Sequence, residues 1–287
     1  MRQLIFIVLL LVGGDALAVD ALDKRLKEED WDNYSPFTLL PHRNNFLQPF
    51  SYAKGLRETI NRDGDSAPME RFETKFQLSL KTPLWSRVYQ EKGYLFFAFT
   101  QQAYWQSYNS AVSSPFRETN YEPELILAFP HFYGVEQATS RIVSVSLSHQ
   151  SNGRAGELSR SWNRLKLNWV GSIGDVFVSV TPWYRFPERD KRFEGDPKGD
   201  DNPDISHYMG HFEISAAYKN QSETYRVMLR NNLKSDNKGA LQLSYSRPMN
   251  KYLRWYVEAF TGYGDSMIDY NRPVTRVGLG FELNDVL

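Results

Sequence analysis

Cysteine is absent from the chain. That excludes a disulfide framework, thiolate metal sites and a cysteine nucleophile, without fixing the compartment. Net charge is absent too, with 34 Lys and Arg against 34 Asp and Glu. A nucleic-acid footprint or a charged interaction tail is therefore not expected. Beyond the N-terminus no apolar run approaches the roughly 18 residues that a spanning helix needs. The mean hydropathy is −0.53, so the mature chain holds no transmembrane helix.

The N-terminus itself is different. Arg2, the apolar run Leu4 to Val12 and the small-x-small triplet Ala16-Leu17-Ala18 read as a secretory signal over residues 1–18. Residues 19–36 are mixed polar with little periodicity and read as an N-terminal arm. From residue 37 to residue 287 the pattern becomes short alternating segments bounded by Gly, Pro, Asn and Asp. The clearest runs from Arg71 to Leu80, with Phe72, Thr74, Phe76 and Leu78 on one face and Glu73, Lys75 and Gln77 on the other. Similar alternation recurs to the final segment, Arg276 to Leu283. Counting a first segment at Phe37–Tyr52 that Pro41 and Pro49 interrupt, twelve are expected.

Alternation alone fits either a soluble sandwich or a membrane barrel. Export, segments about ten residues long, and Trp and Tyr near segment ends (Trp85, Trp105, Tyr121, Trp169, Tyr263) favour the barrel. The expectation is an all-β, 12-stranded antiparallel transmembrane β-barrel. Its charged faces, including Glu73, Lys75, Glu122, Glu124, Arg164, Lys166, Glu258 and Arg276, would turn inward and pair. Mixed signs there suggest a plugged interior.

One stretch carries chemistry. His149 and Ser151 are two residues apart at the end of a strand and so share a face with Val143, Val145 and Leu147. Asn163 shares the apolar face of the next strand with Leu165 and Leu167. A hairpin centred near Gly156 sets Asn163 opposite His149. Serine needs a neighbouring base, histidine can carry its proton, and an amide oxygen can hold the imidazole. Asparagine and serine are also ordinary turn residues, so spacing alone leaves a rim role open. His42, His131, His207 and His211 lack such partners and read as rim or lumen residues.

The stretches His149-Gln150-Ser151-Asn152-Gly153-Arg154 and Ser159-Arg160-Ser161-Trp162-Asn163-Arg164 closely resemble the active-site hairpin of the outer membrane phospholipase A family. So do Ser113-Ser114-Pro115-Phe116-Arg117-Glu118-Thr119-Asn120-Tyr121, Asp200-Asp201-Asn202-Pro203-Asp204 and Tyr263-Gly264-Asp265-Ser266-Met267-Ile268-Asp269-Tyr270. The resemblance implies a Gram-negative outer membrane enzyme over residues 37–287, hydrolysing acyl esters of phospholipids and lysophospholipids (phospholipase A1 and A2 activity) as a homodimer with Ca²⁺. It implies Ser151 as nucleophile, His149 as base, Asn163 as orienter and the Gly153 N–H in the oxyanion hole. Calcium ligands by position are the Ser159 hydroxyl, the Arg154 carbonyl and the Ser113 carbonyl of a second copy. Gln101, on a lipid-side face with Phe97 and Phe99, matches a dimer-interface glutamine. Two departures stand out. Gly156 occupies a position where members of the family can carry a carboxylate of a second calcium site, and Arg185 to Gly199 form a longer charged loop. The readings left beside it are a non-enzymatic barrel, such as a small porin, and a lipid A deacylase.

Overall fold

The computed structural model describes residues 38–284, apart from 58, 63–64, 136–137, 194–195 and 197. The expected signal (1–18) and polar arm (19–36) lie outside the described residues. Twelve strands form the wall: β1 Asn45–Lys54, β2 Phe72–Arg87, β3 Gly93–Trp105, β4 Phe116–Val135, β5 Ala138–Ser151 and β6 Ser161–Ile173, then β7 Val176–Arg185, β8 Phe212–Asn220, β9 Glu223–Asn231, β10 Gly239–Pro248, β11 Arg254–Gly262 and β12 Val274–Asn284. Each pairs antiparallel with its chain neighbours, and β12 pairs with β1, so the ring is closed. Closure leaves no sheet edge whose backbone groups would go unpaired in lipid. No helix of the described residues is long and apolar enough to cross a membrane.

The first segment differs from expectation. Proline cannot donate to a ladder, and the chain accommodates its two prolines separately. Pro41 lies in the two-residue strand Leu40–Pro41, which pairs with the Leu80–Lys81 stretch of β2. Pro49 sits where the register of β1 on β2 shifts between Gln48 and Ser51. Its free carbonyl accepts from Thr74 Oγ1 at 3.3 Å and Tyr108 OH at 2.8 Å. β4 is longer than the alternation marks, because both of its faces turn polar near Arg117 to Asn120.

The wall is inside out. Phe50, Leu78, Leu147, Leu167, Leu243 and Leu279 are exposed, while Glu73, Glu258 and Glu282 are fully buried. A soluble sandwich would do the reverse, so the apolar outer face is a lipid face. Inside, Lys75 pairs with Glu258 at 2.7 Å, and Arg276 with Glu73 at 2.8 Å and Asp265 at 2.7 Å. Glu122 gathers Arg43 at 2.9 Å, Arg164 at 2.8 Å and Lys166 at 2.9 Å. Buried charges are tolerated when paired in this way.

The loop between β11 and β12 folds into the mouth. Met267 N donates to Asn120 Oδ1 at 3.1 Å and Ile268 N to Glu118 Oε1 at 3.0 Å. Arg117 ties the same loop to the wall, reaching Asp269 at 2.5 Å and Glu73 at 2.8 Å. The lumen that remains is a cavity of about 650 Å³. Two-residue turns such as Gly174-Asp175 and Gln221-Ser222 close one end of the barrel. The longer loops 106–115, 152–160, 186–211 and 263–273 cluster at the other.

Candidate active site

The candidate hairpin is β5–β6, and it ends at the long-loop rim. Its register sets His149 opposite Asn163 and Ser151 opposite Ser161, as the hairpin count predicts. Val145 and Leu147 before His149, and Leu165 and Leu167 after Asn163, are exposed on the outer wall. Between them Ser146, Ser148, Arg164 and Lys166 are buried on the lumen side. The three candidate residues therefore face out.

His149 Nδ1 and Asn163 Oδ1 are 2.8 Å apart. The amide oxygen can only accept, so in a neutral ring this contact calls for the proton on Nδ1 and the lone pair on Nε2. Ser151 projects on the same face two residues on.

The turn around them is pinned by Asn152. Its Nδ2 donates to Leu158 O at 2.8 Å, and its Oδ1 accepts from Arg160 N at 3.0 Å. Beneath the turn Trp162 is fully buried, meets Trp183 edge-on at 6.1 Å and donates to Gln150 Oε1 at 2.8 Å.

Gly153 has φ +64°, and a Cβ there would lie 3.2 Å from the Tyr121 ring. Both features call for glycine. The Gly153 N–H has no hydrogen-bond partner among the described residues.

The expected cation ligands divide. Arg154 and Ser159 share the hairpin turn. Ser159 Oγ donates to Asp201 Oδ2 at 2.5 Å, and the other Asp201 oxygen receives Lys191 Nζ at 2.6 Å. The Arg154 side chain turns back to Arg117 O at 2.5 Å and Glu118 at 3.3 Å. Ser113 lies apart in the exposed β3–β4 loop at φ +59°, and no hydrogen bond joins it to Arg154 or Ser159. Gln101 faces outward, and its amide has no hydrogen-bond partner among the described residues.

The long charged loop reaches the site, which composition alone does not reveal. β7 pairs Arg185 with Arg164, and the chain continues so that Phe186 N donates to Asn163 O at 2.9 Å. Asn163 Nδ2 donates to Glu188 Oε1 at 3.1 Å. The same register could have pointed to Glu188, since it lies two residues past Phe186.

Phe186 also helps line a groove of about 450 Å³ on the outer wall, with Phe97, Leu125, Leu147, His149 and Asn163. Further along the loop, Asp196 accepts from Arg189 at 2.9 Å and from the backbone N–H groups of Lys198 and Arg192. Those bonds, the Arg189 one first, hold its carboxyl well below the usual carboxylate range.

The sequence matches the family described as Phospholipase A1 over residues 22–283. It is 39% identical over 259 residues to the phospholipase A1 of Klebsiella pneumoniae, spanning 90% of this chain and 86% of that one. The fold is similar to the crystal structure of the Salmonella typhi outer membrane phospholipase dimer with bound calcium. The TM-score is 0.79 at 37% identity, over 89% of this chain and 95% of that chain. It is also similar to an active-site Asn-to-Ala mutant of outer membrane phospholipase A from Escherichia coli. There the TM-score is 0.80 at 36% identity, over 95% of this chain and 100% of that chain.

Proposed function

The chain belongs to the phospholipase A1 family, and from that membership we propose that it is a calcium-dependent outer membrane phospholipase whose Ser151–His149–Asn163 triad works on the lipid-facing wall. The observation that carries this reading is the 2.8 Å His149–Asn163 contact on an exposed apolar surface, with Ser151 on the same face. The outer groove beside it suits an acyl chain, and the charged lumen does not.

Each residue then has a role. Ser151 Oγ attacks the ester carbonyl, and its proton passes to His149 Nε2. Asn163 Oδ1 holds the Nδ1–H, which fixes the ring and its tautomer. The Gly153 N–H donates to the oxyanion of the tetrahedral intermediate. His149 returns the proton to the leaving glyceryl oxygen, and an acyl-Ser151 ester remains. Water, deprotonated by His149, then releases the fatty acid and restores Ser151.

Among the described residues, no cluster of three or more acidic or histidine side chains could hold a metal ion. A cation here would rest on hydroxyl and carbonyl oxygens, the donor type that suits calcium. Ser159 fits this. Its proton points to Asp201, which leaves the oxygen lone pairs for a cation. The Arg154 carbonyl would be a second ligand, and the Ser113 carbonyl of a partner copy a third. When bound, calcium supplies transition-state charge stabilisation that a triad ending in neutral asparagine lacks. The exposed apolar wall and the unpartnered Gln101 amide support pairing with a second copy, and the Salmonella typhi relative is a dimer with calcium.

The plug formed by the β11–β12 loop weighs against a pore. The test is fatty-acid release by the purified protein from phospholipid vesicles and from lipid A, with calcium and with chelator. Calcium-dependent release from phospholipid is expected. Release confined to lipid A, or none, would overturn the reading.

A further inference from the structure

We propose that Glu188 is a positioning residue of this site, its carboxylate fixing the orientation of the Asn163 amide and thereby the tautomer of His149. The inference rests on the triad reading and goes beyond it.

An asparagine amide has two ends of nearly equal shape. One accepts and the other donates. If the donor end faced His149 Nδ1, that nitrogen would have to accept, and the proton would sit on Nε2. Such an imidazole cannot take the serine proton. Something must therefore forbid the flipped amide.

Glu188 Oε1 lies 3.1 Å from Asn163 Nδ2. A carboxylate only accepts, so it demands the NH₂ end. Asn163 Oδ1 is then left for His149 Nδ1 at 2.8 Å. The chain of demands runs from carboxylate to amide to imidazole and leaves Nε2 as the base.

The loop is built to present this carboxylate. Arg185 and Arg189 flank it, yet both are committed elsewhere. Arg185 grips Asp200 with contacts of 2.7 and 2.6 Å, and Arg189 grips Asp196 at 2.9 and 3.2 Å. Asp200 N donates to Arg189 O at 2.9 Å, which closes the loop on itself. Phe186 N anchors its start on Asn163 O at 2.9 Å, and Pro187 restricts the backbone just before Glu188. Asn163 is the one polar partner of the Glu188 carboxylate among the described residues. Glu188 is half-buried there.

The test uses the calcium-loaded enzyme and four variants: Glu188→Ala, Glu188→Gln, Asn163→Ala and the Glu188→Ala/Asn163→Ala pair. Glu188→Ala should lower kcat about tenfold with KM nearly unchanged, because the effect acts on the base and not on substrate binding. Glu188→Gln should recover most of that loss, since its amide oxygen still accepts. The pair should be no slower than Asn163→Ala alone, within about twofold, because Glu188 acts through Asn163.

Nitrogen NMR of labelled histidine reads the tautomer directly. His149 should carry its proton on Nδ1 in the wild type and populate both tautomers in Glu188→Ala. A kcat within about twofold of wild type, a loss confined to KM, or a loss that persists in the Asn163→Ala background would overturn the proposal. Those results would leave the phospholipase reading intact, because that reading is tested separately, by calcium-dependent release from phospholipid in the wild type and its loss in Ser151→Ala.

Discussion

Gly153 offers a sharp test of the oxyanion assignment, because a second glycine in the same turn serves as its control. Both Gly153 (φ +64°) and Gly156 (φ +63°) lie in the left-handed region. Alanine at either position meets a backbone cost of about 1–2 kcal/mol. The two differ in what a new Cβ meets. At Gly153 it would stand 3.2 Å from Tyr121 Cε2 and 3.7 Å from Cδ2, while at Gly156 nothing lies within 4 Å. Tyr121 pairs with Ser151 across the β4–β5 ladder, and its ring lies 6.4 Å from that of Phe99. A Cβ at Gly153 asks the ring or the Gly153 peptide to give by a few tenths of an ångström, and a shift of the peptide tilts its N–H. Losing one oxyanion donor costs about 100-fold to 1000-fold in kcat. A tilted donor should cost less, about 10-fold to 100-fold for Gly153→Ala. Gly156→Ala should stay within about twofold of wild type in kcat, with a similar stability loss of about 1–2 kcal/mol. Fatty-acid release reports the first quantity, and denaturant unfolding followed by tryptophan fluorescence the second. If both variants lose activity equally, or if Gly153→Ala keeps wild-type kcat, the reasoning that the Tyr121 contact tilts the oxyanion donor is refuted.

Other outcomes follow from neighbouring contacts. Lys191→Ala removes an ammonium 2.6 Å from Asp201 and should tighten calcium binding measured by calorimetry; an unchanged Kd would separate Asp201 from the cation site. Arg117→Met leaves Glu73 and Asp269 buried without this guanidinium and should destabilise the barrel by about 3–5 kcal/mol in denaturant titrations; a loss under about 1 kcal/mol would mean that the plug loop is held by other contacts. Asp196 has its carboxyl held low in the fold, so its contribution is fully present above the unfolded carboxylate value of about 4 and fades as pH falls through its folded value. Backbone amide protection at Arg192 and Lys198 should therefore persist at pH 4 and be lost in Asp196→Asn; loss at pH 4 in the wild type would contradict the assignment.

The barrel was legible because its two faces meet different solvents. Where lipid lies on one side and a charged lumen on the other, as along Phe72 to Leu80, the sequence alternates cleanly. The same parity is enough to set His149, Ser151 and Asn163 on the outer wall. Legibility failed where that contrast ends. Pro41 and Pro49 blurred β1, and their solution, a register shift and a separate two-residue strand, depends on tertiary partners. The extension of β4 through Arg117 and Glu118 carries polar residues on both faces, so alternation does not mark it. The roles of Glu188 and Lys191 were hidden because a loop, not a periodic element, brings them to Asn163 and Asp201. Arg185 to Gly199 read only as charged. Among its described residues, Arg185 pairs with Asp200 just beyond the loop and Arg189 with Asp196, contacts that no periodic pattern marks.

The central claim is that ester hydrolysis occurs at Ser151 on the outer wall. The most direct measurement compares fatty-acid release from phospholipid vesicles by wild type and Ser151→Ala, both folded and calcium-loaded. The account predicts release by the wild type and none above background by the variant, with unfolding curves that superimpose. Hydrolysis that survives the substitution would contradict it.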